Sequence, residues 1–189
     1  GRNEADSGQY NDASEVFGAS GGASLYRSTM LEQIGLFDED FFAYYEDIDI
    51  SFRAQLSGWK VRYTPKAKAY HQIGATSSKI SGFTTYQFMK NIPLIYWKNV
   101  PLRVAAPMFP KIFFAYWSVF FSSIMRGNFV PAIKGSFMAH ILMFKKLFVE
   151  RPQIQKGRKV SDDYVRSIIT QGPPPNARKL QRIRSLFVK

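Results

Sequence analysis

Apolar residues in the first part of the chain come in short runs whose spacing changes along the sequence. After a polar stretch over residues 1–15, "VFGASGGASLYR" places short apolar runs on either side of Ser20, Gly21 and Gly22. This predicts a strand, a tight glycine turn and a second strand. "TMLE" (Thr29 to Glu32) has the capping-box pattern of a helix start, and Gly35 stands where that helix would end. Further on, Ile48, Phe52 and Leu56 recur every four residues, which predicts a helix burying that stripe. Asp49 and Arg53 are an acid-before-base pair at i, i+4 on another face, and Gly58 is placed as a C-terminal cap. "WKVRY" then alternates like a half-buried strand until Pro65, and "KAKAYH" alternates again, with Ala67, Ala69 and His71 on one side. The pattern to residue 71 predicts a compact α/β unit.

Beyond Ser78 the pattern changes. "SSKISG" reads as a linker, and aromatic-rich runs then alternate with isolated Lys, Arg and Pro. The uncharged run Ile112–Met125 falls short of the roughly 20 residues a spanning helix needs. Pro107 and Pro110 restrict its extension toward the N-terminus, so an interfacial or re-entrant segment is expected, with Trp97, Tyr116 and Trp117 at headgroup depth. "FMAHILMFKKLF" is a further amphipathic stretch, and "GPPP" (Gly172 to Pro175) separates a basic tail. The expected division is 1–78 and 79–189, the second part mainly helical.

Charge sharpens that division. The chain has a net charge of +12, with −4 up to Ser78 and +16 from Lys79 onward. A half so basic is expected to face anionic groups, on lipid or on nucleic acid. A hydrophobic content of 46% excludes wholesale disorder, and the absence of cysteine excludes disulfides, thiolate metal sites and a cysteine nucleophile.

The candidate chemistry lies in "YYEDID". Glu46, Asp47 and Asp49 crowd into four residues behind Tyr44 and Tyr45. Carboxylates favour a first helical turn for purely structural reasons. The aromatic run "FDEDFFAYY" before them, however, is unusual for a solvated helix start, and a glycine turn lies upstream. His71 ends the last predicted strand.

These residues carry a resemblance. The segment from "FGASGGASLYR" through "FDEDFFAYYEDIDISFRAQLSGW" to "TPKAKAYH" resembles the C-terminal half of the catalytic domain of family-2 glycosyltransferases, the bacterial rhamnosyltransferase-like enzymes above all. The resemblance implies an α/β GT-A (Rossmann-like) half-domain followed by the helical basic tail. It implies inverting transfer from a nucleotide-diphosphate sugar to a glycan or lipid-linked acceptor, with Asp47 as general base and Glu46 touching the acceptor. Gly21 and Gly22 would lie in the loop beneath the sugars, Tyr45 and Arg27 would join the substrate-binding set, and His71 would bind Mg²⁺ or Mn²⁺ on the diphosphate. "DED" at Asp38–Asp40 is not read as the family's metal motif, because it falls downstream of the glycine turn. The nucleotide-binding half expected before Val16 is not in the sequence, so the chain is expected to be part of a longer transferase. Its expected place is the cytoplasmic face of the membrane, with an anionic membrane surface and no nucleic acid as partner. Two competing readings are a non-catalytic basic module for anionic lipid or nucleic acid, and a degenerate remnant that docks another transferase.

Overall fold

The structure, a computed structural model, describes residue 8 and residues 10–70 and 79–169. It corrects the expected fold class. Among the described residues the chain is helical, and its sheet is one two-stranded antiparallel ribbon, β1 (Ser14–Val16) against β2 (Val61–Tyr63), with Glu15 opposite Arg62. An α/β GT-A half-domain is therefore not what these residues build. The turn after β1 does form, closed by Ala23 N–H donating to Ser20 C=O at 3.0 Å. The strands expected over 23–27 and 66–70 do not. Leu25 and Tyr70 are wholly exposed, so the alternating residues there meet neither a core nor a ladder partner.

Seven helices follow one another among the described residues: α1 (Ser28–Ile34), α2 (Glu46–Leu56), α3 (Phe83–Asn99), α4 (Leu102–Met125), α5 (Phe129–Lys145), α6 (Arg151–Lys156) and α7 (Asp162–Ile168). A 3₁₀ turn, Glu39–Phe41, precedes α2, and a π-helical turn, Lys146–Glu150, joins α5 to α6. The capping box expected at Thr29 is not formed, because the N-cap of α1 lies two residues earlier, at Arg27. Gly35, at φ 81°, ends α1 as expected. The helix predicted behind the acids is α2, starting at Glu46 itself. Phe52 and Leu56 of its predicted stripe are buried, whereas Ile48 is exposed.

α3, α4 and α5 run up, down and up. Tyr96 bonds Ala105 and Tyr116 bonds Met89, so α3 and α4 are antiparallel; Gly82 meets Pro131 and Tyr86 meets Gly135, so α3 and α5 are parallel. The last pair approaches closely because α5 turns Ala132, Gly135 and Ala139 toward it. A β-carbon at 135 would overlap the Tyr86 carbonyl. Phe52, Leu56, Tyr96, Val100, Val104 and Val165 form one core, and Met89, Phe120 and Ala132 a second.

The helix α4 runs through Pro107 and Pro110, which the sequence pattern placed outside it. A proline inside a helix leaves the carbonyl four residues earlier without its usual N–H donor. Pro107 frees the Arg103 carbonyl, and the Arg166 guanidinium of α7 donates to it at 3.2 Å. Pro93, inside α3, frees the Met89 carbonyl in the same way, and the Tyr116 hydroxyl donates to that oxygen at 3.1 Å. At Pro107 and Pro93 a neighbouring helix thus replaces the lost donor. Tyr116→Phe is expected to cost about 1–2 kcal/mol, since it leaves a buried acceptor unpaired. In a Pro93→Ala background, where the backbone supplies an N–H again, urea denaturation is expected to show a smaller cost.

Candidate functional site

The acids sit at the start of α2, and the turn before them is strained. Phe42, Tyr44 and Tyr45 have φ of 57°, 62° and 73°, a left-handed run that side chains disfavour. Two adjacent side chains of α3 hold this turn. Asn91 donates from one amide nitrogen to the carbonyls of Phe41, Ala43 and Tyr44 at 3.0, 2.9 and 2.7 Å. The Lys90 ammonium donates to Asp40 C=O at 2.6 Å, and burial holds its pKa below the ordinary lysine value. Phe88 packs edge-on against Tyr44 and Tyr45 from the same helix. Within the turn itself, Asp38 Oδ1 accepts from Asp40 N–H at 3.1 Å and Phe42 N–H donates to Glu39 C=O at 3.0 Å, and the α3 side chains hold the rest.

One turn further along, α2 is anchored by charge. Asp49 is fully buried and accepts from Arg53 at 2.8 Å, Lys98 at 2.9 Å and Asn99 at 2.9 Å. Arg53 also donates to the carbonyls of Ile34, Gly35 and Leu36, which caps the end of α1. Lys98 continues to Asp38 at 2.6 Å; Lys146 bonds Asp38, Asp40 and Glu150 at 2.5, 2.7 and 2.7 Å; Lys145 reaches Asp40 at 2.8 Å. Burial alone would raise the Asp38 carboxyl, but hydrogen bonds from Lys146 and Lys98 reverse this and hold it well below the usual range. Asp40 is lowered for the same reasons by Lys145 and Lys146. Burial would lower Lys146, yet its three carboxylate bonds keep its pKa above the ordinary value.

With the turn and helix fixed, the sequence-predicted residues fall into two groups. Gly21, Glu46 and Asp47 come together: Gly21 N–H donates to Asp47 Oδ2 at 3.1 Å, although the two are 26 positions apart. Gly21 and Glu46 line an open cleft of about 700 Å³ together with Phe37, Asp38, Glu39 and Phe42. Glu46 is half-buried, and one of its carboxylate oxygens is buried with no hydrogen-bond partner among the described residues. Burial raises its pKa, and the Asp47 charge beside it adds to the effect. Asp47 is half-buried and accepts from Ile48 N–H through its other oxygen, at 2.8 Å.

In the second group, Gly22, Tyr45 and Arg27, like Asp47, are not among the residues that line the cleft. Gly22 is the exposed neighbour of Gly21, Tyr45 packs on Phe88, and Arg27 is exposed at the start of α1. His71 lies outside the described residues. Reading the sequence missed Phe37 and Phe42 as cleft walls, and Lys90, Asn91, Lys98 and Asn99 as the supports of the turn. A signal for the supports does exist: Lys-Asn recurs eight residues apart in "KNIPLIYWKN", which returns both pairs to one side of a helix.

The expected Mg²⁺ or Mn²⁺ finds no fitting site among the described residues. Asp38, Asp40 and Glu150 are close enough to share an ion, but Lys146 sits among them and bonds all three. A dication would have to displace a buried ammonium, and no step is assigned to a metal.

The chain is similar to N-acetylglucosaminyl-diphospho-decaprenol L-rhamnosyltransferase from two strains of Mycobacterium tuberculosis, at 31% identity over 91 residues. The match covers 44% of this chain, and the chain spans 29% of the relatives' length. No family model matches the chain, and no solved structure matches it.

Two outcomes follow for the charged lattice. Asp49→Asn strips the buried Arg53 and Lys98 of a counter-ion and is expected to cost about 3–5 kcal/mol in urea denaturation. Asp38 and Asp40 titrate lower folded than unfolded, so their stabilisation is fully present above the ordinary aspartate range and is lost progressively as pH falls below that range through their lowered folded values. Denaturation midpoints at pH 7 and pH 3 are expected to show this loss, and Asp38→Asn to reduce it.

Proposed function

We propose that this chain takes part in sugar transfer in cell-surface glycan synthesis. The donor is a nucleotide-diphosphate sugar and the acceptor a glycan or a lipid-linked saccharide. One observation carries the reading: Gly21 and Glu46 line one cleft, and Gly21 N–H bonds the Asp47 carboxylate beside it. The similarity of this chain to a rhamnosyltransferase supports it. The proposal concerns the acceptor side of the reaction.

In this reading the acceptor hydroxyl attacks the anomeric carbon of the donor. The new glycosidic bond forms as the bond to the nucleotide diphosphate breaks on the opposite face, which inverts the configuration. The hydroxyl proton passes to the Asp47 carboxylate as the oxygen becomes acidic, and the diphosphate departs with the bonding pair. The Gly21 N–H fixes the Asp47 carboxylate in orientation, and the strained turn fixes where α2 begins. Glu46, its free oxygen held in a half-buried site, is suited to bind a second acceptor hydroxyl, because a group of that polarity gains most from a partner. Phe37 and Phe42, both exposed, give the cleft an apolar wall on which a sugar ring or a lipid can lie.

The test uses the full protein that carries this chain, a nucleotide-diphosphate rhamnose donor and a polyprenyl-diphosphate-linked N-acetylglucosamine acceptor. Asp47→Asn is expected to lower kcat by about 10²–10⁴-fold, the range of general-base catalysis, with little change in the unfolding midpoint. Glu46→Gln is expected to act mainly on the acceptor KM. A wild-type rate in Asp47→Asn would remove Asp47 from the chemistry.

A further inference from the structure

The regular apolar stripe of α5 points the wrong way for a core. Val130, Ile133, Phe137, Ile141, Phe144 and, in the π-turn, Phe148 recur at three- and four-residue spacing, and all are exposed. On the opposite side, the small residues Ala132, Gly135 and Ala139 are the ones buried against α3. An amphipathic helix ordinarily buries its large apolar face. Here the inner face is small enough for α3 to approach, and the large face is left outward. α4 adds Phe114, Phe121 and Met125, again exposed. Both helices rest on α3 and touch each other where Tyr116 bonds Ser136 at 2.7 Å, so both outer faces lie away from α3. Apolar exposure over two adjacent helices marks an interaction surface.

Charge says what covers it. From Lys79 to Val149 the sequence holds no Asp or Glu. Lys90, Lys98 and Lys146 are buried, and Lys145 is paired with Asp40 and Glu150. The exposed Lys79, Arg103, Lys111, Arg126 and Lys134 remain, so the outer surface of this helical layer is cationic throughout. A surface of large apolar side chains with basic flanks complements an anionic lipid headgroup layer above acyl chains. α4 is long and apolar enough to cross a bilayer by length and composition. Crossing would place Lys111, exposed well inside that helix, in hydrocarbon, and would strip α4 from its contacts with α3.

We propose that the outer face of α4 and α5 docks side-on to an anionic lipid bilayer, with the α5 stripe at the level of the acyl chains and the lysines among the headgroups. The docking face begins beside the cleft. Pro131, at the start of α5, meets Gly82, and the adjacent Phe83 packs edge-on against Phe42 of the cleft wall, 6.3 Å between ring centres. Resting on the transfer reading above, this places Glu46 and Asp47 where an acceptor anchored in the same bilayer can reach them.

The test is co-sedimentation of the full protein with vesicles of phosphatidylglycerol and phosphatidylcholine, against phosphatidylcholine alone. The wild type is expected to prefer the anionic vesicles and to be released by salt. Phe137→Asp combined with Phe144→Asp is expected to weaken binding by about tenfold or more, because two apolar side chains become charges at the acyl boundary. The unfolding midpoint of that variant should stay near the wild-type value, since both side chains are exposed. Lys134→Glu gives a second readout, a smaller loss confined to anionic vesicles. Undiminished vesicle binding in the double variant would overturn the proposal. So would preferential binding of a single-stranded oligonucleotide, or a shift from dimer to monomer with vesicle binding unchanged. Vesicle binding is read without any sugar transfer, so a failed docking proposal and a failed Asp47 assignment are told apart.

Discussion

Asp49 is a carboxylate with no access to water, and the rest of the structure depends on its being neutralised. An unpaired charge at that depth would cost several kcal/mol, so α2 can stay in place only where cations reach it. Arg53 comes from the same helix; Lys98 and Asn99 come from α3, about fifty residues away in sequence. Lys98 then shares Asp38 with Lys146, which gathers Asp40 and Glu150 in turn. Four carboxylates and four cations, counting Lys145, thereby tie the acidic N-terminal part to the basic helices. The charge asymmetry of the sequence has a structural use here. A lattice of this kind adds little net stability compared with apolar packing, because desolvation offsets most of the attraction. Its contribution is to register: α2, α3, the turn over 38–40 and the end of α5 with its π-turn each supply charges to it.

That registry positions the candidate site. α3 brings Lys90 and Asn91 to the turn over 40–45 on the same side as Lys98 and Asn99, and the left-handed run of Phe42, Tyr44 and Tyr45 is held by their hydrogen bonds. The turn ends where α2 begins, so the positions of Glu46 and Asp47 are set by side chains of another helix. The two faces of the helical layer divide the work. The inner face of α3 orders the acids, whereas the outward stripe of α5 and the flanking bases present an apolar, cationic surface.

What the sequence made legible was local. The Asp49–Arg53 pair and the bond from Gly35 N–H to Leu31 C=O each lie within one helical turn, where spacing alone decides. The convergence of Gly21 with Glu46 and Asp47 was legible through the resemblance of an ordered motif, since a separation of 26 positions carries no periodic signal. The fold class was not legible. Alternation predicted strands around Leu25 and Tyr70, but a strand exists only with a partner, and these residues meet none. α4 defeated the proline rule because Arg166 replaces the lost donor at Arg103, an interaction 63 positions distant. The cleft walls Phe37 and Phe42 were visible only as an excess of aromatics. The exposure of the α5 stripe followed from Gly135 and its neighbours taking the inner face, a choice that hydrophobicity alone does not reveal.

The central claim is that α3, and Asn91 in particular, holds the turn that presents the acid pair. Amide hydrogen exchange on the wild type and on Asn91→Ala tests it most directly. Loss of protection over 41–49, with protection of α3, α4 and α5 retained, is the predicted result. Equal protection over 41–49 in the two proteins would mean that the turn keeps its own shape, and would contradict the claim.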